Sequence, residues 1–350
     1  MSLRRPFEWR TMGSRVALVQ ADATAGAGVR PFNPFRDLPA VTSLLGRVFG
    51  AELKLDSVLS PEALRWMRRF PSVAWLWFGL DAWFDSNLAG FVWHEGGRIV
   101  GNANIAPLSS AGRQWVLSNV AVEPTCRGHG IAGALVDACI RYVADRGGER
   151  VLLHVWESNV AARRLYERRS FRPVSTTHRL EFALGQVRAL AERPEGGQAL
   201  RWRRPHGGDS YALASIAAKL SPFDTQVLRP SAASAFEGAS WGWLGDFGAV
   251  LGLGRRQVRL VLCQGDSVRG GVAVRTSRQP WSRLTILLAP TDLEECADPV
   301  AAKSAELASL QAGRRVLCDL PESLVLLSDR LGQRGFQHTD SLLQMALVLS

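Results

Sequence analysis

From Trp115 to Val122 two short apolar runs flank the polar pair Ser118-Asn119, which predicts a strand. A turn at Glu123-Pro124-Thr125-Cys126 follows, then Arg127-Gly128-His129-Gly130-Ile131-Ala132, and there the period changes. Ile131, Leu135, Ala138, Cys139 and Tyr142 fall on one stripe of a helix that stops at Gly147-Gly148 with Arg146 in its last turn. A mainly apolar run, Val151–Trp156, predicts a buried strand, and a second helix starts at the good cap residue Asn159 and ends near Arg169. Strand, glycine turn, helix and strand together make a βαβ unit.

The flanking pattern extends this core. Val29–Phe32 reads as a first strand, and Asp37 as the cap of a helix with Leu38, Val41, Leu44, Leu45 and Val48 inward, stopped by Gly50. A helix over 60–69 has Ser60 as its cap and Pro61 in its first turn. The aromatic run Val73–Phe84 suits a pocket wall, a domain interface or plain core equally well. Residues 89–95 and 98–105 form a hairpin around Gly96-Gly97, and Thr177–Phe182 closes a first domain over 29–185. Residues 1–28 read as a flexible extension and 186–199 as a linker.

The remaining residues, 200–350, repeat the first domain in worn form. Leu200–Pro205 is a first strand, Asp209 caps a helix through Lys219, and 258–274 is a hairpin like that at 89–105. Gly101 matches Gly270, Val151 matches Val316, and Phe171 matches Phe336, all at nearly one offset. Gly335 stands one residue before Phe336, where the first half has Ser170.

Composition narrows the class. The chain has 350 residues, 47% hydrophobic and 21% charged, which is ordinary for a globular protein. No apolar run nears the ~20 residues of a membrane span, so no membrane association is expected. The net charge of +10 favours anionic ligands, but no basic run interleaved with aromatics argues for nucleic acid. Five scattered cysteines form no C-x-x-C pair, so a reduced cytoplasmic setting and no metal are expected. Cys126 reads as a small packing residue rather than a nucleophile.

The chemistry lies in the turn at 127–132. Glycines 128 and 130 let backbone N–H groups approach a ligand closely at a helix N-terminus, where unpaired donors and the helix dipole favour an anion. Arg127 adds a fixed positive charge, and a pyrophosphate is the expected guest. Gly128, Gly130 and Gly133 also satisfy the bare dinucleotide pattern G-x-G-x-x-G. A dinucleotide fold would continue with more parallel strands and leave the tyrosine-bearing segment downstream unexplained. The Gly-Lys-Ser/Thr of a triphosphate loop is absent.

The stretch resembles the GNAT acetyltransferase superfamily. Arg127-Gly-His-Gly130-Ile-Ala132 fits that family's coenzyme A loop at every fixed position, and Asn159-Val-Ala161-Ala162-Arg-Arg-Leu165-Tyr166-Glu-Arg-Arg-Ser170-Phe171 fits its downstream pattern, with Ser170 replacing the usual glycine. The resemblance implies an α/β fold with a mixed sheet, here as tandem GNAT-like acyl-CoA N-acyltransferase folds. It implies acetyl-CoA as co-substrate, no metal, and direct acetyl transfer to the amine of a small molecule or protein. Val120, Ala121 and Val122 would bind the pantetheine arm and the thioester oxygen. Residues Arg127, Gly128, His129, Gly130, Ile131, Ala132 and Gly133 would hold the diphosphate, and Asn159 would bond near the arm.

Tyr166 is the candidate general acid. In water phenols ionise near pH 10 and thiols near about 8.5, so protonating a thiolate is feasible at neutrality. Glu123 and Glu157 are the candidate bases, Glu123 slightly ahead. The segment of the second half matching the phosphate loop, Ala289–Pro299, has four acids and no glycine or arginine, and Leu331 stands in the place of Tyr166. An active first half and a degenerate second half follow. A non-catalytic acetyl-CoA-binding scaffold and a longer-chain acyltransferase are the alternatives, and a homodimer is an open possibility.

Overall fold

A computed structural model describes residues 26–49, 89–108, 112–182, 200–220, 235–236, 257–276, 281–311 and 314–349. The expected helix at 60–69, the aromatic run at 73–84, the linker at 186–199 and nearly all of the N-terminal extension lie outside these residues. The chain divides into two compact units.

The first unit comprises residues up to 153, 168–170 and 346–350. It holds strand β1 (Ala27–Pro31), helix α1 (Pro34–Val48), strands β2 (Ala89–Glu95), β3 (Arg98–Pro107) and β4 (Gln114–Val122), helix α2 (Ile131–Ala144) and the start of β5 (Arg150–Trp156). The strands stand in the order β1-β2-β3-β4-β5. The first four are antiparallel, and β4 runs parallel to β5 because helix α2 carries the crossover. The expected extension to residue 28 is shortened, since Ala27 and Gly28 already pair with Glu95 and His94.

The predicted stripe of α2 is its buried face: Leu135 and Cys139 are fully buried. Tyr142 is held edge-on by Phe91 and Trp115 at 6.0 and 5.9 Å between ring centres. Helix α1 starts earlier than predicted. Asn33 is its cap, accepting from the Phe35 N–H, and Pro34 opens it. Asp37 reaches back to the Asn33 N–H (2.9 Å) and grips Arg30 through two bonds of 2.6 and 2.8 Å.

The second unit comprises 154–167 and 171–345. It includes the end of β5, helix α3 (Val160–Glu167), strands β6 (Arg172–Phe182), β7 (Leu200–Arg203), helix α4 (Ser210–Leu220), strands β8 (Gln257–Gln264), β9 (Ser267–Thr276) and β10 (Trp281–Leu288), helix α5 (Leu293–Ser309), strand β11 (Arg315–Pro321), helix α6 (Val325–Gly332) and most of β12 (Phe336–Val348). Its strand order is β12-β6-β11-β10-β9-β8-β7. Strand β6, the last of the first repeat in sequence, therefore runs antiparallel to β11 of the second repeat, Phe182 opposite Val316 and Thr177 opposite Pro321. Chain order and spatial grouping part company at this strand.

The repeat is present element by element. Each half runs strand, helix, three strands, helix, strand, helix, strand among the described residues. Both hairpins shift register at matching places, between Trp93 and His94 opposite Gly101, and between Leu262 and Cys263 opposite Gly270. Both first helices are tied by a buried aspartate: Asp209 grips Arg203 through two 2.7 Å bonds and accepts the His206 N–H at 2.8 Å, as Asp37 does with Arg30 and Asn33. No helix among the described residues is long and apolar enough to cross a membrane.

Candidate active site

Strand β4 brings the site's backbone into position in two ways. Its ladder with β5 covers only Gln114–Val116 against Arg150–Leu152. Beyond Val116 that edge of β4 has no ladder partner among the described residues, so backbone groups up to Val122 are available to a ligand. On the other side a bulge interrupts pairing with β3. Asn104 faces Ser118 and Asn102 faces Ala121, which leaves Asn119 and Val120 together opposite Ala103. Asn119 has φ 52°, in the left-handed region. Ala121 and Val122 are buried and rejoin β3.

The turn after β4 has the predicted backbone. Gly128 and Gly130 have φ 85° and 78°, a conformation that costs an L-residue about 1–2 kcal/mol. Gly130 is the cap of α2 and supplies no side chain to its first turn. The first helical bond is Ala134 N–H to Gly130 carbonyl at 3.0 Å. Among the described residues the N–H groups of 128–133 have no backbone acceptor, and a Cβ at either turn glycine would meet open space. These are the orphan donors of a helix start.

Arg127 lies back along the strand, its Nε 3.3 Å from the Val122 carbonyl, and the exposed His129 ring sits 3.3 Å from the Cys126 carbonyl. Ile131 is buried and anchors the turn, while Ala132 is half-buried. Gly133 makes room for Arg169, whose guanidinium passes 2.5 Å from where a Cβ would be and bonds Asp137 at 2.5 and 2.9 Å.

Glu123 leaves β4 at its C-terminal end, its N–H bonded to the Val100 carbonyl at 2.8 Å. Arg47 of α1 clamps its carboxylate, the shortest contact being 2.7 Å. The Arg47 bonds hold the Glu123 carboxyl below the usual range against its partial burial, with Arg98 and Arg127 adding to the pull.

The second unit holds the other three sequence candidates. Asn159 caps α3 as predicted, its side-chain oxygen accepting the Ala162 N–H at 3.1 Å. Glu157 is exposed, its N–H donating to the Ser341 carbonyl at 2.7 Å. Tyr166 is 6% exposed and packs edge-on against Phe171 at 5.8 Å. Asp340 of β12 bonds the Ser158 hydroxyl at 2.5 Å and its N–H at 3.3 Å, which pins the turn between Glu157 and Asn159.

The corresponding turn in the second half is built differently. A 3-10 turn, Pro290–Asp292, runs straight into α5 with no left-handed glycine. Glu294 and Glu295 occupy the helix's first turn, and Arg269 joins Asp292 at 3.2 Å and Glu295 at 3.7 Å. The helix start is answered by the protein's own carboxylates.

Several features of the candidate site are not visible in the sequence. Asn102, Asn104 and Asn119 around the bulge left a faint signal, two polar amides inside an otherwise apolar strand. Arg47 and Asp340 left none, because their partners lie 76 and 182 residues away.

A mixed sheet whose parallel pair opens after three residues, beside a left-handed glycine turn feeding a helix, defines the acyl-CoA N-acyltransferase class of fold. Residues 57–171 match the model of the acetyltransferase (GNAT) family. Mycothiol acetyltransferase of Salinispora tropica is 38% identical over 103 residues, 26% of this chain and 31% of that protein. Mycothiol acetyltransferase of Salinispora arenicola is 32% identical over 170 residues, 48% of this chain and 50% of that protein. The chain thus spans half or less of the length of these curated relatives. A tandem GNAT protein from the clavulanic acid biosynthesis pathway aligns over 92% of this chain and 98% of its own, with TM-score 0.56 and 15% identity, so the tandem GNAT fold is shared.

Proposed function

We propose that residues 29–185 form an N-acetyltransferase domain using acetyl-CoA and an amine acceptor, and that residues 200–350 form a companion half with no carrier site of its own. The observation that carries this is the turn at Gly128 and Gly130: two left-handed glycines open a helix that has no side-chain cap, and its first N–H groups have no backbone acceptor among the described residues. That arrangement suits a diphosphate. The acidic counterpart at Asp292, Glu294 and Glu295 would repel one. The curated relatives are named for mycothiol acetylation; the partial match supports only the coarser class of acceptor, an amine.

In the proposed transfer the amine nitrogen attacks the thioester carbonyl, the carbon–sulfur bond breaks, the nitrogen gives up a proton and the thiolate gains one. Main-chain N–H groups of Val120–Val122 are assigned the oxygen as it gains charge. Tyr166 is assigned the proton delivered to sulfur. An ion-paired carboxylate with a lowered pKa is a poor base, so the amine's proton is assigned to Glu157 rather than Glu123.

The test is calorimetric binding of coenzyme A together with thiol release from acetyl-CoA over an amine panel. Wild type binds and turns over at least one amine. Gly130→Glu abolishes binding, and Tyr166→Phe keeps binding but loses turnover. Undiminished affinity in Gly130→Glu overturns the loop assignment. Binding without thiol release for any amine favours a carrier-binding scaffold.

A further inference from the structure

The bulge in β4 is held by a side chain with no place in the chemistry described above. Asn102 on β3 is fully buried. One amide carries both its bonds: Nδ2 donates to the Asn119 carbonyl at 3.0 Å and to Asn104 Oδ1 at 2.8 Å. Its own Oδ1 is buried with no partner among the described residues. Burying an unsatisfied acceptor is costly, and a leucine of similar shape would avoid that cost. The amide is retained at a position where its donors meet the one non-glycine residue of β4 in left-handed conformation, Asn119 at φ 52°.

The neighbours are arranged around the same contact. Asn104 sits opposite Gly90 of β2, and a Cβ on Gly90 would come within 2.9 Å of the Ala103 carbonyl and 3.0 Å of the Asn104 amide nitrogen. A bare glycine on β2 admits the Asn104 side chain, which orients Asn102, which receives the carbonyl that the bulge removes from the ladder. Left-handed backbone at one residue turns the peptides that follow it. Those that follow are Val120, Ala121 and Val122.

We propose that Asn102 is a positioning residue: its amide latches Asn119 in the left-handed conformation and thereby sets the direction in which the Val120–Val122 backbone meets the acyl carrier. This rests on the assignment of that strand to coenzyme A binding, and it adds a residue that touches neither carrier nor acceptor.

The experiment uses the full chain, coenzyme A as the probe, and a rescue that a merely structural role would not produce. Asn102→Leu removes the latch and raises the Kd for coenzyme A about tenfold, the size of the left-handed penalty that binding must then supply. Asn119→Gly removes that penalty, because glycine adopts positive φ freely. The double variant Asn102→Leu/Asn119→Gly therefore recovers affinity to within about threefold of wild type. Asn119 is exposed, so Asn119→Val, which disfavours positive φ without disturbing the core, weakens binding even if Asn102→Leu does not fold.

Affinity unchanged in Asn102→Leu or in Asn119→Val, or no recovery in the double variant, overturns the latch. A carrier that does not bind wild type overturns the functional assignment instead. The latch is then judged by the Asn119 backbone conformation from NMR, which turns extended in Asn102→Leu if the latch exists and stays left-handed if it does not.

Discussion

Ser170 and Gly335 close the same helix exit in the two halves, one residue before Phe171 and Phe336, and both are left-handed, at φ 64° and 95°. The second half has the residue suited to that backbone and the first does not. Replacing Ser170 by glycine removes steric strain of about 1–2 kcal/mol and adds back about 0.5–1 kcal/mol of unfolded-state entropy. Ser170→Gly is therefore stabilising by roughly 0.5–1 kcal/mol, and Gly335→Ala destabilising by at least as much. Urea unfolding of the two variants measures both; a destabilised Ser170→Gly contradicts the assigned backbone.

The two buried aspartates set the acid limit of the fold. Burial opposes ionisation of Asp37, but the Arg30 bonds and the Asn33 N–H outweigh it and leave its pKa lowered. At Asp209 the Arg203 bonds are the largest influence and act in the same direction. A lowered folded-state pKa means stability that is complete above the unfolded value, about 4, and is lost as pH falls through the folded value. Wild type accordingly loses stability progressively below about pH 4. Asp37→Asn and Asp209→Asn each cost about 2 kcal/mol at pH 7 and show a shallower acid limb in chemical unfolding followed against pH.

Thiol chemistry gives a probe of the glycine turn proposed to hold the diphosphate. All five cysteines are free, and only Cys126, next to Arg127, has surface exposure. Burial pushes the Cys139 thiol up to about 12 and the Cys296 thiol up to about 11, and raises Cys263 and Cys318. At pH 8 the native protein reacts with one equivalent of a disulfide reagent, and Cys126→Ser removes that reaction. Coenzyme A slows the labelling if it occupies the adjacent turn. Rapid labelling of a second thiol in native conditions argues against the packing of α2 and α5.

The clasp of Asp340 on Ser158 is exposed, so its energy is small, while its position is sensitive. Asp340→Ala costs no more than about 1 kcal/mol in global stability. Its effect is local: amide hydrogen exchange speeds up over residues 158–162, where α3 begins. Exchange unchanged there means the turn is held by Asn159 alone.

Local features were legible because each is written within a few residues. The left-handed turn needed Gly128 and Gly130 together, the α2 stripe needed a 3.6-residue period, and Asn159 capped a helix as its side chain predicts. The repeat was legible from landmarks such as Gly101 and Gly270, which face the register shift in each hairpin and where a side chain would collide with neighbours, Ile131 and Leu135 in one half and the Leu287 carbonyl in the other. Errors of placement stayed local: α1 starts at Pro34 because Asn33 accepts the Phe35 N–H as its cap, and Asp37 is used instead to hold Arg30.

The sequence alone thus determined the left-handed glycine turn, the helices beside it and the doubled order of elements, all encoded in short-range backbone preference and periodicity. Tertiary structure decided which strands share a sheet, so that β6 pairs with β11 of the other repeat. It also decided that Glu123 is an ion-pair partner of Arg47 and that Asn102 reaches Asn119. Those outcomes depend on residues brought together from distant parts of the chain, and a long loop closes at nearly the same cost whichever partner it finds. Their identity is set by packing and register in the folded chain rather than by any local pattern.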